Sequence, residues 1–355
     1  MSPVHSKQPK VAFLTYPSAF QNIGGGEILL LKLKEYLEKG GVPVDLFDTW
    51  HARVESYDLL HVFGSVKDCL GLARVANARR VKVATTPILW ADWRMALFNN
   101  EEFRDKLLFS LRYLTKVVWP HFPSSRRKLL TASDLIFPNS EMEKKQITRL
   151  FGIPQSKMKV IYNGVDVEFG RADAKLFTER YGRQPFILGV GRIEPRKNQL
   201  NLIRAVKKLG GQKLRLIGNV VSGHESYEAA CRKEGDGFVD FVPAMKHEDP
   251  LFRSAYAACS LFAAPGWFET PGLAALEAAL AGARVLVTSG GSTREYFGKY
   301  ADYLDPADVK DIERKISLSL AKPKDPLLKE HVLQNFSWEA IAERTLACYK
   351  EILSI

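Results

Sequence analysis

The sequence predicts an α/β protein that contains two doubly wound parallel sheets. Short runs of β-branched and aromatic residues alternate with longer amphipathic segments, which is the pattern of strands connected by helices. Most of the short runs are continuously apolar, as expected for parallel strands covered on both faces. The alternation occurs twice, and a chain of 355 residues is long enough for about two domains. Each half is therefore expected to form a Rossmann-like unit.

The apolar runs predict six strands in the first half of the chain and five in the second. Those of the first half are Val11–Tyr16, Val44–Phe47, Leu59–Phe63, Val81–Thr85, Leu135–Phe137 and Lys159–Tyr162. Those of the second half are Phe186–Val190, Leu214–Ile217, Val239–Val242, Leu261–Ala264 and Arg284–Thr288. Among the segments between them, helices are predicted at Glu27–Lys39, Glu141–Leu150, Pro195–Leu209 and Leu273–Ala281.

The domain boundary is predicted where this alternation restarts, between residues 163 and 185. We therefore expect a first domain at residues 1–165 and a second at residues 166–336. Residues 337–355 have the pattern of a closing helix with Ser337 as its N-cap. Because ligands bind beyond the carboxyl ends of parallel strands, the chemistry is expected in a central cleft that both halves face.

The composition is that of an ordinary globular chain, with 46% hydrophobic and 26% charged residues. No apolar run is long enough to span a bilayer, and the first ten residues lack the apolar core of a secretory signal. Four dispersed cysteines without a C-x-x-C pair argue against a disulfide framework or a zinc module. We therefore expect a cytoplasmic protein, which could lie at the inner face of a membrane.

The net charge of +11 is concentrated in the first half, where residues 1–166 carry 24 Lys and Arg against 16 Asp and Glu. Such an excess suits nucleic acid, an anionic membrane or a phosphorylated substrate, and composition does not choose among these.

Two glutamates bracket the start of a predicted helix in the second half. Glu269 lies just before that helix, and Glu277 lies about 9 Å further along its axis, at 1.5 Å per residue from Pro271. Sugar and ribose hydroxyls are natural donors to two such carboxylates. The alternative is that Glu269 is solvated and Glu277 lies on the helix surface.

The start of the same helix predicts an anion site. Thr270 is a candidate N-cap, and Pro271 suits the first helical position. The next N–H groups, from Gly272 and Leu273, would then face a ligand such as a diphosphate.

Cations follow the strand Phe186–Val190, in a place where the helix dipole disfavours them. Arg196 and Lys197 would lie in the first turn of a helix that begins at Pro195. An anionic ligand reverses that penalty, with Arg192 forked onto a phosphate and Lys197 as a compact charge. Exposed loop cations without a ligand are the alternative.

A glycine-rich turn, Gly24-Gly25-Gly26, follows the first strand and opens a helix. Gly25 and Gly26 allow a ligand to approach the backbone closely, and a flexible turn explains them nearly as well.

Taken together, these motifs resemble the retaining nucleotide-sugar glycosyltransferases of family four, which have the GT-B fold. The resemblance covers nearly the whole chain, and it rests on a small set of motifs. They are Glu269 with Glu277, Gly191-Arg192 with Lys197-Asn198, Asn163-Gly164-Val165-Asp166, Pro138-Asn139-Ser140 and the closing Phe336-Ser337-Trp338-Glu339.

The resemblance implies that Arg192 and Lys197 hold the donor diphosphate, that Glu277 binds the ribose and that Glu269 orients the transferred sugar. It also implies that Gly25 and Gly26 lie near donor and acceptor. Thr270, Gly272 and Leu273 are expected to bind the substrate because they lie at the predicted helix start. In such enzymes the closing helix crosses back onto the first domain. The dispersed histidines give no metal-ligand spacing, and no cofactor other than the donor substrate is expected.

Two departures from the family pattern are visible. Thr270-Pro271-Gly272 stands where the family usually has Gly-Phe-Gly, so one backbone donor is lost at Pro271. The segment Thr85–Trp90, with Pro87, lacks the histidine that many relatives place there. His61 ends an earlier strand and matches another segment that commonly holds histidine. It is therefore a candidate substrate-binding residue, although a histidine at a strand end is more often structural.

The segment from Phe103 to Leu130 is basic and rich in aromatic residues. Its cations are Arg104, Lys106, Arg112, Lys116, Arg126, Arg127 and Lys128, against the single acid Asp105. The aromatic residues are Phe103, Phe109, Tyr113, Trp119 and Phe122. Such a segment could rest on an anionic membrane surface and receive a lipid-linked acceptor, or it could be a core helix whose cations face water. No nucleic-acid-binding module is recognisable, so nucleic acid is not an expected partner.

We therefore expect a retaining hexosyltransferase that uses a UDP- or GDP-hexose donor and an acceptor hydroxyl. Glu269, Arg192 and Lys197 are its expected catalytic residues. The resemblance points to a saccharide or lipid-linked glycan as acceptor, in surface polysaccharide or glycolipid synthesis. The alternatives are a nucleotide-sugar epimerase of the same fold and a non-catalytic nucleotide-sugar-binding protein.

Overall fold

The computed structural model describes residues 8–21, 24–89 and 103–355, with the side chains of residues 103–105 outside the description. The contacts divide the chain into two compact units. The first comprises Met1–Ala91, Leu111–Gly164 and Trp338–Ile355, and the second comprises Asp92–Ser110 and Val165–Ser337. Each unit contains one parallel sheet with helices between its strands, so the predicted α/β class is confirmed.

The sheet of the first unit has five parallel strands in the order β2-β1-β3-β4-β5. The strands are β1 (Val11–Leu14), β2 (Val44–Leu46), β3 (Leu59–Phe63), β4 (Lys82–Thr86) and β5 (Leu135–Ile136). The helices up to Gly164 are α1 (Gly25–Lys39), α2 (Leu70–Ala78), α3 (Phe103–Val118), α4 (Ser125–Ala132) and α5 (Glu141–Phe151). The middle strands β1 and β3 are buried along their whole length, as expected where helices cover both faces.

The sheet of the second unit has six parallel strands in the order β11-β10-β9-β6-β7-β8. They are β6 (Phe186–Val190), β7 (Lys213–Ile217), β8 (Val239–Val242), β9 (Leu261–Ala264), β10 (Val285–Thr288) and β11 (Asp302–Leu304). The helices are α6 (Lys175–Tyr181), α7 (Gln199–Leu209), α8 (Glu225–Glu234), α9 (Pro250–Ala258), α10 (Leu273–Leu280), α11 (Thr293–Phe297), α12 (Val309–Ala321) and α13 (Pro326–Phe336).

The closing helix α14 (Trp338–Leu353) belongs to the first unit, although it follows the second unit in the chain. Trp338 and Tyr349 are buried in the same core cluster as Leu30 and Leu33 of α1. Gly164 shows how closely the chain approaches this helix, because an added Cβ there would lie 2.5 Å from the Trp338 ring.

One predicted strand is absent, and one observed strand was not predicted. Residues 159–162 form no strand; instead, Lys159 N–H donates to the Ile136 carbonyl at 3.0 Å and Ile161 N–H donates to the Pro138 carbonyl at 2.9 Å. This segment extends beyond the end of the two-residue strand β5 and so has too little strand to pair with. The three-residue strand β11 was not predicted, because Asp302 interrupts the apolar pattern of so short a run.

No helix in the described ranges combines the length and the apolar character needed to cross a bilayer.

Candidate functional site

The second sheet reverses its strand order between β6 and β9, because β7 and β8 lie on one side of β6 while β9, β10 and β11 lie on the other. The loops that leave β6 and β9 therefore diverge and open a crevice at the carboxyl edge of the sheet. A pocket lies at this point, and its lining includes Gly191, Lys197, Gly266, Glu269, Gly272 and Leu273. Five of these six residues lie in motifs that the sequence predicted as binding or catalytic, and Gly266 is an addition.

Lys197 and Glu269 form an ion pair in this pocket, although 72 positions separate them in the sequence. Lys197 Nζ donates to Glu269 Oε1 at 2.7 Å. Burial is the largest influence on both groups; it raises the pKa of Glu269 and lowers the pKa of Lys197. The positive charges of Lys197 and Arg196 outweigh burial at Glu269 and hold the pKa of that carboxyl below its ordinary value. The pKa of Lys197 also lies below its ordinary value, because burial outweighs the attraction of Glu269.

Backbone and amide hydrogen bonds fix the two loops that carry this pair. Trp267 N–H donates to the Arg196 carbonyl at 3.0 Å. The Asn198 side-chain amide donates to the Pro265 carbonyl at 3.1 Å and to the Pro306 carbonyl at 2.8 Å. Asn198 thus joins the loops after β6, β9 and β11, and its positive φ of 56° turns the chain into α7. In the Lys197-Asn198 motif, the lysine lines the pocket and the asparagine holds the loops together.

The two arginines of the same loop have different environments. Arg196 Nη2 donates to Glu194 Oε1 at 2.8 Å, so its charge is balanced within the loop. Arg192 Nη2 lies 3.8 Å from the same oxygen, its side chain is 48% exposed, and it lies outside the residues that line the pocket. The predicted phosphate contact of Arg192 therefore requires its exposed side chain to move toward the pocket.

The helix after β9 begins at Leu273, as predicted from the segment Leu273–Ala281, whereas its predicted cap is wrong by two residues. Thr270 is not the N-cap, and Pro271 does not lie in the first turn, because Gly272 is the N-cap and α10 begins at Leu273. The positive φ of Gly272, 83°, explains this position, since few other residues adopt it. The Gly272 carbonyl accepts the N–H groups of Ala275 and Leu276.

The N–H groups of Leu273 and Ala274 open the helix and have no intrahelical acceptor. Both residues line the pocket, so this helix start remains the predicted anion site, displaced by one residue from Gly272 and Leu273.

The backbone of Glu269 is held by a pair of glycines, Gly290 and Gly291, that was not predicted from the sequence. Glu269 N–H donates to the Gly290 carbonyl at 3.3 Å, and Ser292 N–H donates to the Glu269 carbonyl at 3.0 Å. An added Cβ at Gly291, whose φ is 95°, would lie 2.1 Å from the Glu269 carbonyl oxygen. The only signal in the sequence was the Gly-Gly pair at the end of an apolar strand, which is typical of a close backbone approach.

Glu277 is also buried, and it does not line the pocket that contains Lys197 and Glu269. Its carboxylate accepts hydrogen bonds from the Tyr256 hydroxyl at 2.5 Å and from His247 Nε2 at 2.9 Å. Neither partner was predicted from the sequence, because both lie on a segment without a recognisable motif.

The glycine turn of the first unit forms the start of α1, with Gly24 as N-cap and with Gly25 and Gly26 in the first turn. Glu27 closes this turn, since its Oε2 accepts the Gly24 N–H at 2.8 Å and its Oε1 accepts the Tyr16 hydroxyl at 2.6 Å. Gly25 is exposed, whereas an added Cβ at Gly26 would lie 3.3 Å from Ile88. The turn lies at the carboxyl end of β1, where the first sheet also reverses its strand order.

His61 does not reach a ligand site in this structure. The residue is fully buried, and its two ring nitrogens contact Tyr349 Oη at 2.5 Å and Thr86 Oγ1 at 2.8 Å. Burial lowers the pKa of His61 to about 3, so the ring is neutral at physiological pH. The expected substrate contact of His61 is therefore replaced by a structural role, which links β3 to β4 and to α14.

The segment Thr85–Trp90, which lacks the family histidine, is described as far as Leu89, and Trp90 lies outside the described residues. Among the residues that the structure describes, no group of three or more His, Cys, Asp or Glu side chains is arranged to hold a metal ion.

Solved structures with the same architecture belong to glycosyltransferases. Anabaena HepE in complex with UDP superposes with a TM-score of 0.73 at 18% identity, over 96% of this chain and 100% of HepE. Sucrose-phosphate synthase from Thermosynechococcus elongatus superposes with a TM-score of 0.76 at 17% identity, over 97% of this chain and 99% of that one. The chain therefore has the GT-B fold.

The sequence matches two family descriptions, Glycosyltransferase Family 4 over residues 49–169 and Glycosyl transferases group 1 over residues 172–331. The D-inositol 3-phosphate glycosyltransferase of Nocardioides sp. is 26% identical, over 92% of this chain and 85% of that protein. The O-antigen chain mannosyltransferase B of Escherichia coli is 26% identical, over 72% of this chain and 68% of that protein. The chain belongs to the group 1 glycosyltransferases of family four, as its motifs predicted.

Proposed function

We propose that this glycosyltransferase moves a hexose from a UDP- or GDP-sugar to an acceptor hydroxyl with retention of the anomeric configuration. The observation that carries the proposal is the Lys197–Glu269 pair beside the start of α10, at the switch point of the second sheet. Positive charge, two N–H groups and a carboxylate there suit the diphosphate and the sugar of one donor. HepE, a structural neighbour, has been solved with UDP and with UDP-glucose, which supports the donor class.

The leaving diphosphate gains negative charge as the glycosidic bond breaks. Lys197 and the N–H groups of Leu273 and Ala274 would stabilise that charge, with Arg192 added when its exposed side chain turns toward the donor. These groups supply the positive charge from the protein itself, so we propose that transfer requires no metal ion. We expect equal turnover with and without EDTA. If EDTA abolished turnover and added Mg²⁺ restored it, the proposal that no metal ion is needed would be contradicted.

Glu269 is suited to orient the sugar rather than to take the acceptor proton. Its pKa lies below the ordinary value, because Lys197 and Arg196 outweigh burial, and a carboxylate of low pKa is a weak base. We therefore propose front-face attack of the acceptor, with a donor phosphate oxygen as the proton acceptor. Glu277 would bind the ribose further along α10.

A donor panel tests this function. Purified protein is incubated with UDP-, GDP- and ADP-hexoses and saccharide or lipid-linked acceptors, and the anomeric configuration of the product is read by NMR. Lys197→Ala should abolish most turnover, whereas Lys208→Ala removes an exposed lysine of α7 and should have no effect. An inverted product would refute retention, an isomerised donor without acceptor would indicate an epimerase, and tight donor binding without turnover would indicate a binding protein.

Fewer cations of the basic segment Phe103–Leu130 are available to contact a membrane than its composition predicted. Arg126 and Arg127 donate to the carbonyls of Ser65 and Phe151, so these two cations have structural roles. Lys116 lies over the Phe151 ring. The side chains of Phe103, Arg104 and Asp105 lie outside the described residues.

One face of α3 is nevertheless apolar and open to solvent. Leu111, Leu114 and Val118 are 52%, 56% and 75% exposed and share that face by their spacing, while Tyr113 and Val117, on an adjacent side of the helix, pack against the core. We propose that this face and the exposed Arg112 and Lys128 contact an anionic membrane, where a lipid-linked acceptor is presented.

Cosedimentation with phosphatidylglycerol vesicles should exceed cosedimentation with phosphatidylcholine vesicles. The double variant L114E/V118E should lose this binding, and Leu318→Glu, at a residue 48% exposed on α12, serves as the control. Equal binding by the double variant and the wild type would contradict the proposal.

A further inference from the structure

Two donors from one segment of the second unit fix the carboxylate of Glu277. The Tyr256 hydroxyl, on α9, donates to Oε2 at 2.5 Å, and Nε2 of His247, in the loop before α9, contacts Oε1 at 2.9 Å. Because a carboxylate only accepts, Nε2 carries the proton in this contact. Burial and the charge of Glu277 raise the pKa of Tyr256 well above its ordinary range, so the phenol remains a donor.

The same aromatic cluster holds both donors. The His247 ring lies 5.1 Å from the Phe169 ring and 6.4 Å from the Phe252 ring, measured between centroids. Tyr256 lies 5.5 Å and 5.2 Å from these two rings. Phe169, Phe252 and Tyr256 are buried, so neither donor can turn away from Glu277 without displacing a packed ring.

Phe169 owes its place to the end of the Asn163–Asp166 motif. Asp166 Oδ1 accepts the Glu168 N–H at 3.0 Å and so caps the short turn Val167–Arg171 that carries Phe169. The Arg253 guanidinium lies 5.7 Å from the centroid of the Phe169 ring, and its Nη2 lies 3.9 Å from Asp166 Oδ2. A chain of contacts therefore runs from Asp166 through Phe169 to His247 and Glu277.

We propose that His247 and Tyr256 are positioning residues for nucleotide recognition, which hold the Glu277 carboxylate so that its remaining lone pairs accept the ribose hydroxyls. A carboxylate offers about four acceptor sites, and the hydrogen bonds from Tyr256 and His247 occupy two of them. Because the carboxylate is already held in place before the nucleotide sugar binds, binding does not carry the entropy cost of ordering it. The inference rests on the proposed function, in which Glu277 binds the ribose.

The experiment measures the affinity of the full chain for UDP, GDP and ADP by calorimetry, and then for the 2′-deoxy and 3′-deoxy forms of the nucleotide that binds. His247→Ala should weaken binding of the ribonucleotide on the order of tenfold, as for loss of a hydrogen bond to a charged group. It should have little effect on the deoxy form whose missing hydroxyl Glu277 would bind. His247→Gln, which retains a side-chain N–H donor, should recover part of the affinity.

Tyr256→Phe should behave in the same way, with a raised KM for the donor and a nearly unchanged kcat. Two substitutions elsewhere in the unit are matched controls. Tyr303→Phe removes a hydroxyl that donates a hydrogen bond to the Gly298 carbonyl, and His331→Ala removes a ring that is hydrogen-bonded to the Tyr296 carbonyl. Neither should change nucleotide affinity.

Unchanged affinity in folded His247→Ala and Tyr256→Phe variants would overturn the inference, and so would equal losses for ribo and deoxy ligands. If His247→Ala does not fold, His247→Gln and Tyr256→Phe still carry the comparison. A wild-type protein that binds none of the three nucleotides would instead overturn the proposed function, before any variant is made.

Discussion

Lys197 Nζ lies 2.7 Å from Glu269 Oε1, and this buried pair joins the loop after β6 to the loop after β9. The attraction between the two charges offsets the cost of removing each of them from water. Removal of either partner therefore leaves an unpaired buried charge. Loss of either partner alone should therefore cost stability as well as donor binding.

The pair predicts non-additive losses of stability. Lys197→Met and Glu269→Gln should each cost about 3 kcal/mol of unfolding free energy, whereas the double variant should cost less than their sum. Urea unfolding monitored by circular dichroism gives the three values. All three variants should lose donor turnover, on the order of 100-fold or more. Strictly additive stability losses would mean that the two charges do not interact.

Gly291 predicts a loss of activity through the backbone of Glu269. Gly291→Ala places a Cβ 2.1 Å from the Glu269 carbonyl oxygen and must displace that residue, so turnover should fall by at least about tenfold. Gly237→Ala is the matched control, because Gly237 also has a positive φ, 82°, but has nothing within 4 Å of the added Cβ. Enzyme assays at equal folded concentration compare the two, and similar activities would argue against the proposed role of Gly291.

His61 predicts a loss of stability at acid pH. Burial lowers its pKa in the folded protein to about 3, from an ordinary value of 6.5. The unfolded chain therefore binds a proton first, and the stability due to this group is complete above pH 6.5 and falls as the pH drops toward 3. Between pH 6.5 and 5 the loss is about 2 kcal/mol. The measurement is urea unfolding of the wild type and His61→Gln across this range, and parallel pH profiles would refute the assignment.

Glu143 predicts the opposite dependence in nearly the same pH range. Burial raises its pKa to about 7, against its hydrogen bonds from the backbone N–H groups of Asn139 at 2.6 Å and Leu89 at 2.5 Å. The folded state holds this proton more tightly than the unfolded chain, so the stability due to the group is complete below pH 4.5 and is lost as the pH rises through 7. Glu143→Gln should remove this loss, which amounts to about 3 kcal/mol at pH 7. Unfolding at pH 5 and pH 8 tests it, and an unchanged difference between the two pH values would count against it.

Much of the fold was predictable because parallel strands leave a simple trace. Buried strands such as Leu59–Phe63 and Phe186–Val190 are continuously apolar, and their predicted limits match the observed ones. Lys159–Tyr162 has the same local pattern and yet forms no strand, because pairing depends on the length of the neighbouring strand. The short strand Asp302–Leu304 is formed by its pairing with β10.

In the site, residue types were easier to predict than contacts. The sequence indicated Lys197 and Glu269 by their spacing and by a family resemblance. The ion pair between them, across 72 positions, could not be predicted because it depends on how the strands pair in the folded sheet. Gly291, His247 and Tyr256 had no distinctive local pattern, because what matters about each is the neighbour it meets. The burial of His61 at a strand end likewise follows from α14, far along the chain.

The position of α14 has a consequence for biosynthesis. Tyr349, which bonds to His61 and completes the core over α1, emerges from the ribosome only after the whole second unit has been made. Most of the second unit lies in one continuous stretch, Val165–Ser337, whereas the first unit must keep a gap in its core until the last helix arrives. During that interval the half-built unit exposes the apolar surface of α1, and this is when the nascent chain most needs protection from aggregation.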